Sequence, residues 1–334
     1  MQDRMQSDSR LLSLVYGAVF GSLFPLFFFA ARSFARRERA HEIADQVANA
    51  FMTLRPKYLE AILGNTSQVL GLRPTHPDVE RTAREMVRQH ARAWVDFFFY
   101  GQRPPEDALA QFASIDGLEH MDAAMAEGRG VILLTAHAGN YELGGLLLKA
   151  RNLKVHAVYQ PDRFEAVERL RERLRAQGGV VGLPVDGVGF STLPLVKLLR
   201  EGRLVGMQGD RDFSLNGVPM PFFGREVPFP RGPWELAAMT SAPIVTSFFF
   251  TDEARRFHAH FGKPLHVQGG RGERMAAIEA GMRSYVADLE ALIRRQPSQW
   301  YCFYPFWDDP ARGPASRSQE KTTSAAPLST VIGV

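Results

Sequence analysis

Cysteine is almost absent: Cys302 stands alone, so no intramolecular disulfide can brace this 334-residue chain and its stability has to come from packing. Lysine is scarce too, because almost all of the 40 basic residues are arginine. Guanidinium forks hold phosphate or carboxylate at two points, which is consistent with an anionic partner; a GC-rich coding bias would produce the same excess. The net charge of only +4 gives no reason to expect nucleic acid. There is no G-x-S-x-G segment, which removes the usual α/β-hydrolase serine. GNYELGG (139–145) imitates the start of a phosphate loop, but Gly145 stands where the lysine belongs. His258 and His260 alternate along an expected strand with no cysteine or acidic set nearby, so no metal is expected, and no cofactor either. Internal repeats are missing as well.

What is present begins with an uncharged run from Leu11 to Ala31, long enough for a bilayer core. Arg32, Arg36, Arg37 and Arg39 follow it, a positive flank that favours the cytoplasmic side for the rest of the chain. Those arginines, and the length of the run, argue against a cleaved signal peptide. Pro25 leaves open a kinked helix lying in the interface instead of crossing it. Residues 1–40 are therefore read as a membrane anchor. From His41 to Tyr100 apolar residues recur at helical spacing, with breaks at Arg55-Pro56 and across 73–77. The last of these helices ends in WVDFFFY, read as core in preference to a membrane-facing surface.

After Gly101 short apolar runs alternate with helical stretches: VILLTA, VHAVYQ, VVGLP, LVGMQGD, PIVTSFFF and RFHAHF. That texture predicts an α/β fold with a mixed, largely parallel sheet flanked by helices. The expected body covers 41–308, a helical lead-in over 41–100 and an α/β core over 101–308. The Ser-, Thr-, Ala- and Pro-rich stretch 309–334 is expected to be disordered.

Within the strand-like run VILLTAHAGNYELGG, His137 and Glu142 are five residues apart. On one continuous helix they would not face each other. A strand ending near His137, a turn through Gly139 and Asn140, and a helix starting near Tyr141 would instead bring them together at the carboxyl edge of the sheet, where open α/β sheets bind ligands. Glu142 would then orient the imidazole for proton abstraction from a hydroxyl. The plain alternative is a strand-end histidine beside a helix-start glutamate that favours the helix dipole.

The pattern His-x-x-x-x-Glu is similar to the signature of the glycerolipid acyltransferase superfamily, and the order of further motifs resembles the bacterial lipid A biosynthesis (lauroyl/myristoyl) acyltransferases. These motifs are HAGNYE (137–142), YQP (159–161), an Arg-rich helix running into Gly178-Gly179, GDRD (209–212), VPMPFFGREVPFPRGPWELA (218–237) and QPSQWYCFYPFW (296–307). The resemblance implies transfer of a fatty acyl chain from acyl carrier protein or acyl-CoA to a hydroxyl of a membrane glycolipid, at the cytoplasmic face of a bacterial inner membrane. It further implies His137 as base with Glu142 as partner, completed by Arg175 and Asp210, with Arg171 and Arg173 competing for the place of Arg175. Asn140, Gly209, Arg211, Phe222, Phe223, Gly224 and Arg225 are the expected substrate-binding residues. Phe222, Phe223, Phe229 and the run 248–250 are expected to offer an acyl slot, and Arg211 and Arg225 to meet phosphate or an acidic carrier.

Two departures bear on the acceptor. Phe303-Tyr304-Pro305-Phe306-Trp307 stands where lipid A members have His-Arg-Arg-Trp, and Gln160 replaces the arginine of Tyr-Arg-Pro. Both remove cations, so a different lipid or a polyketide-like hydroxyl is an alternative acceptor. Thioester hydrolysis is an alternative reaction, and a non-catalytic carrier-binding scaffold is an alternative from another class.

Overall fold

The computed structural model describes residues 27, 31–34, 36–54, 56–162, 165–185, 192–212, 216–270 and 272–307. Most of the Leu11–Ala31 run and the whole of 309–334 lie outside them. Among the described residues no helix is long and apolar enough to cross a membrane. Of the apolar run only Phe27 and Ala31 are described, and both are fully buried against the helical lead-in.

That lead-in comprises α1 (Arg37–Leu54), α2 (Pro56–Leu70) and α3 (Pro77–Tyr100), broken where the prolines fall. His76 caps α3 by accepting from the Asp78 N–H, and Pro77 occupies the first turn, where its missing N–H costs nothing. Residues Trp94 to Tyr100 are buried without exception, so the aromatic end of α3 is core. Each such ring removed from water contributes roughly 1.5–3 kcal/mol.

The body follows as α4 (Pro105–Leu109), β1 (Phe112–Asp116), α5 (Leu118–Ala126), β2 (Val131–Thr135), a 3-10 turn (Tyr141–Leu143), α6 (Gly144–Ala150), β3 (Val155–Tyr159), α7 (Glu165–Gln177), β4 (Val180–Pro184), α8 (Leu193–Arg200) and β5 (Leu204–Gln208). It continues with a hairpin, β6 (Val218–Phe222) and β7 (Arg225–Phe229), then α9 (Gly232–Thr240), β8 (Ile244–Thr251), β9 (Phe257–Phe261), α10 (Arg274–Arg295) and a last 3-10 turn (Pro297–Gln299).

Seven strands form one sheet in the order β1-β9-β8-β2-β5-β3-β4. The five from β8 to β4 are mutually parallel; β9 runs antiparallel to β8, and β1 runs parallel to β9. The fold is thus α/β with a mixed, mostly parallel sheet. β2 sits in the middle of it, which is why VILLT is apolar on both faces. Ile132, Leu134, Val205 and Ile244 face α8, α9 and α10, whereas Val131, Leu133, Leu204 and Val245 join the opposite cluster with residues of α5 and α6. β1 and the β6–β7 hairpin had no expected strand: FASID is a short, largely exposed edge strand, and the prolines in VPMPF and REVPF mask a two-stranded ribbon whose free edges tolerate them.

Candidate active site

β2 and β5 pair in parallel with Thr135 opposite Gln208, and the Gly209 N–H still donates to the Thr135 carbonyl (2.9 Å). Following that register two residues past the strands puts His137 beside Asp210. Asp210 Oδ1 accepts from the His137 backbone N–H (3.1 Å) and lies 2.8 Å from Nδ1 of its ring, while Oδ2 accepts from Trp300 Nε1 (3.2 Å). An ionised carboxylate only accepts, so Nδ1 carries the proton and Nε2 presents a lone pair.

Burial by itself would raise the Asp210 pKa, but the His137 ring and backbone N–H and the nearby Arg211 outweigh it and bring it down to about 2. Burial and then Arg211 push the His137 pKa below its ordinary value against the pull of Asp210, leaving a neutral imidazole at pH 7. A neutral base held by a charged carboxylate is the result.

Glu142 does not join this pair. It lies on the 3-10 turn, directed toward the last turn of α7, where its carboxylate accepts from Arg175 Nη2 (2.5 Å) and Nε (3.2 Å). Burial tends to raise the Glu142 pKa, but Arg175 more than reverses it. The contact expected between His137 and Glu142 is therefore replaced by two pairs, His137–Asp210 and Glu142–Arg175. Of the three competing arginines, Arg173 is exposed, whereas Arg171 and Arg175 both reach the same cavity. Arg175 Nη1 is buried there without a hydrogen-bond partner, and Arg171 is 5.3 Å from the Trp94 ring.

The cavity measures about 400 Å³ and runs from these groups along one face of the sheet. Leu133, Val155, Ala157 and Gly206 line its strand side, and Gly144, Gly145 and Leu148 of α6 line the other; His137, Tyr141, Glu142, Arg175 and Arg211 contribute the polar end. The glycines let α6 come close. A Cβ on Gly144 would lie 2.6 Å from the Phe249 ring, and one on Gly145 2.4 Å from Val180 Cγ2. The turn after His137 is similarly constrained, since Gly139 has φ +61° and a Cβ there would fall 1.7 Å from the Phe249 carbonyl oxygen.

Other expected binding residues are placed elsewhere. Phe222 and Phe223, with Phe229, belong to the aromatic cluster on the far side of the sheet with Trp300 and Phe306, outside this cavity's lining. Phe223 (φ +48°) and Gly224 (φ +77°) form the two-residue turn of the β6–β7 hairpin, a backbone shape with both central residues left-handed. Arg225 is exposed at the start of β7. Gly209 is buried, and a Cβ there would crowd Leu134 and Tyr285 at 2.9 and 3.0 Å, so its part is close packing beneath Asp210. Arg211 does line the cavity and donates to the Tyr301 carbonyl (2.5 Å). Asn140 is buried and donates to Asp96 (3.2 Å).

Three supporting residues carried no site assignment in the sequence. Trp300 holds Asp210. Gln299 accepts from the Gly139 N–H at its carbonyl (2.7 Å), and its side chain bonds both the N–H and the carbonyl of Thr251 (2.9 and 2.6 Å). Asp96 holds Asn140. The QPSQW block signalled the first two, whereas a carboxylate inside WVDFFFY gave no local sign of its partners.

The sequence model of the family described as "Bacterial lipid A biosynthesis acyltransferase" matches residues 4–308. A phosphatidylinositol mannoside acyltransferase of Mycobacterium tuberculosis (strain CDC 1551 / Oshkosh) is 28% identical over 252 residues, covering 74% of this chain and 77% of that protein. The lipid A biosynthesis acyltransferase of Haemophilus influenzae is 27% identical over 189 residues, 55% of each chain. The lipid A biosynthesis lauroyltransferase of Escherichia coli is 27% identical over 145 residues, 42% of this chain and 45% of that one. With a match across the N-terminal apolar run, the helical lead-in and the α/β body, the chain belongs to the bacterial lipid A biosynthesis acyltransferase family and is an acyltransferase.

Proposed function

We propose that the enzyme moves a fatty acyl chain from a carrier-protein or coenzyme A thioester to a hydroxyl of a membrane glycolipid, with His137 as general base. Nε2 of His137 removes the hydroxyl proton as the alkoxide oxygen attacks the thioester carbonyl. Asp210 stabilises the imidazolium so formed. The tetrahedral oxyanion is met by Arg175, whose unpartnered Nη1 is a donor already in place, and Glu142 keeps that guanidinium oriented. Collapse expels the thiolate, which takes the proton back from His137. The acyl chain lies in the apolar length of the cavity, along the sheet beneath α6.

The observation that carries the reading is a histidine, bonded through Nδ1 to a buried carboxylate, at the polar end of an apolar cavity. The acceptor is read as a glycolipid, because lipid A and phosphatidylinositol mannoside acyltransferases both appear among the relatives. The cations missing at Gln160 and before Trp307 favour an acceptor other than a doubly phosphorylated disaccharide. Membrane association through the N-terminal apolar run, on the cytoplasmic face of the inner membrane, belongs to the same proposal.

The test is incubation of the purified enzyme with a labelled acyl thioester and candidate glycolipids, followed by product analysis. O-acylated glycolipid, lost in His137→Ala, is expected. Free fatty acid as the sole product, formed at the same rate with and without acceptor, would make the protein a thioesterase.

A further inference from the structure

Asp96 is 2% exposed, inside the aromatic end of α3, and its carboxylate is one of the most heavily hydrogen-bonded groups of the protein. Arg37, the first residue of α1, grips it with two donors, Nε to Oδ1 (2.6 Å) and Nη2 to Oδ2 (2.8 Å). His41 Nε2 lies 2.7 Å from Oδ1. The fourth contact comes from the catalytic turn itself, Asn140 Nδ2 donating to Oδ2 (3.2 Å). Arg37 then reaches past the carboxylate, Nη1 donating to the Arg255 carbonyl (2.7 Å) between β8 and β9, and its guanidinium sits 4.5 Å from the centre of the Phe257 ring.

Asn140 lies between His137 and Glu142, with its backbone N–H on the Phe249 carbonyl (2.7 Å) and its carbonyl accepting from the Leu143 N–H (3.1 Å). One end of the turn is therefore held by β8 and the Gln299 segment, and the side chain at its centre by α3. A buried carboxylate aligned by two other side chains is a stiff acceptor, because the low dielectric makes every departure from its geometry costly.

We propose that Asp96 is a positioning residue for acyl transfer: through Asn140 it fixes the relative placement of His137 and the Glu142–Arg175 pair, and Arg37 and His41 fix Asp96. The proposal rests on the reading of His137 as the base. It gives Asn140 a role other than substrate contact and makes the start of α1 part of the catalytic framework. Displacement of a reacting group by about 1 Å can cost on the order of 100-fold in rate, so a turn loosened at Asn140 is expected to show in turnover and not in binding.

The experiment measures kcat and KM of the full-length enzyme, in detergent with an acyl thioester and an accepted glycolipid, together with thermal unfolding. The variants are Asn140→Leu, Asp96→Asn, the double variant and His137→Ala. Asn140→Leu leaves Asp96 on Arg37 and His41, so it is the variant that keeps the fold. Its kcat is expected to fall about 30- to 100-fold with both KM values within about twofold of wild type. The double variant is expected to lose no more than the worse single one, since both remove the same contact. Wild-type kcat in a folded Asn140→Leu enzyme overturns the proposal, as do losses that simply multiply in the double variant. If Asp96→Asn does not fold, Asn140→Leu decides alone. Turnover surviving in His137→Ala would overturn the reading of the base, a result separate from any of these.

Discussion

The two carboxylate pairs at the polar end of the cavity, His137–Asp210 and Glu142–Arg175, predict different consequences when each is broken. Asp210→Asn keeps the shape but loses the charge that holds His137 in its tautomer, and kcat is expected to fall on the order of 10²- to 10⁴-fold, as for carboxylates serving that purpose in other base-assisted sites. With the neutral imidazole as the active form, kcat/KM of the wild type should rise with pH and reach half its plateau below pH 6.5, because burial and Arg211 lower the His137 pKa. Asp210 opposes that lowering, so in Asp210→Asn the acidic limb should move further down while the plateau drops. A limb above pH 6.5 in the wild-type profile would contradict a buried neutral base. Arg173→Ala should leave turnover near normal, whereas Arg175→Ala should depress it strongly, which steady-state rates of the two variants would check. At this scale the motifs pointed to His137, Glu142, Asp210 and one of Arg171, Arg173 and Arg175, but not to who bonds whom. The spacing from His137 to Glu142 is local and visible, whereas the His137–Asp210 contact spans 73 positions and depends on β5 lying next to β2. Phe222 and Phe223 were readable as a buried aromatic pair, and nothing local separates a core ring from a ligand-facing one.

Elements carry the next level of constraint. α6 can approach the sheet because it begins Gly144-Gly145, and a side chain at Gly145 enters the cavity opposite Val180. Gly145→Val is therefore expected to reduce transfer of long acyl chains more than short ones, by roughly tenfold in relative kcat/KM, the discrimination an apolar pocket gives for small changes in volume; competition between two labelled thioesters would measure it. α3 holds His90 against Trp94, Tyr301 and Phe303, where burial, then Arg211 and His137, lower its pKa from 6.5 to about 3. The folded protein refuses that proton while the unfolded chain accepts it below pH 6.5, so stability should decline from pH 6.5 toward 3, by about 1.4 kcal/mol per pH unit at most from this residue. Urea unfolding of wild type and His90→Gln at pH 7 and pH 5 checks this; an equal pH dependence in both would exclude His90 as a source. Strand and helix runs were legible here through periodicity and proline breaks, and the missed strands are a short, largely exposed edge strand and two that carry proline.

For the molecule as a whole, the arrangement of layers was legible but the sheet order was not, since sequence periodicity does not record which strand is inserted between β2 and β3. The expected boundary at residue 40 also divides α1: Arg37 and Ala40 are buried, and Arg37 is bound to Asp96. A cut that respects the body must keep Phe27, Ala31 and Arg37. Removal of residues 1–26 is expected to preserve the thermal transition while releasing most of the protein from sedimented vesicles; undiminished sedimentation would place the membrane contact elsewhere. The central claim, His137-dependent acylation of a glycolipid, is tested most directly by mass spectrometry of total lipids from the native host with the gene deleted and then restored as wild type or as His137→Ala. The account predicts a glycolipid species that loses one acyl chain on deletion, regains it with the wild-type gene and fails to regain it with His137→Ala. Restoration by His137→Ala, or a lipid profile unchanged by deletion, would contradict it.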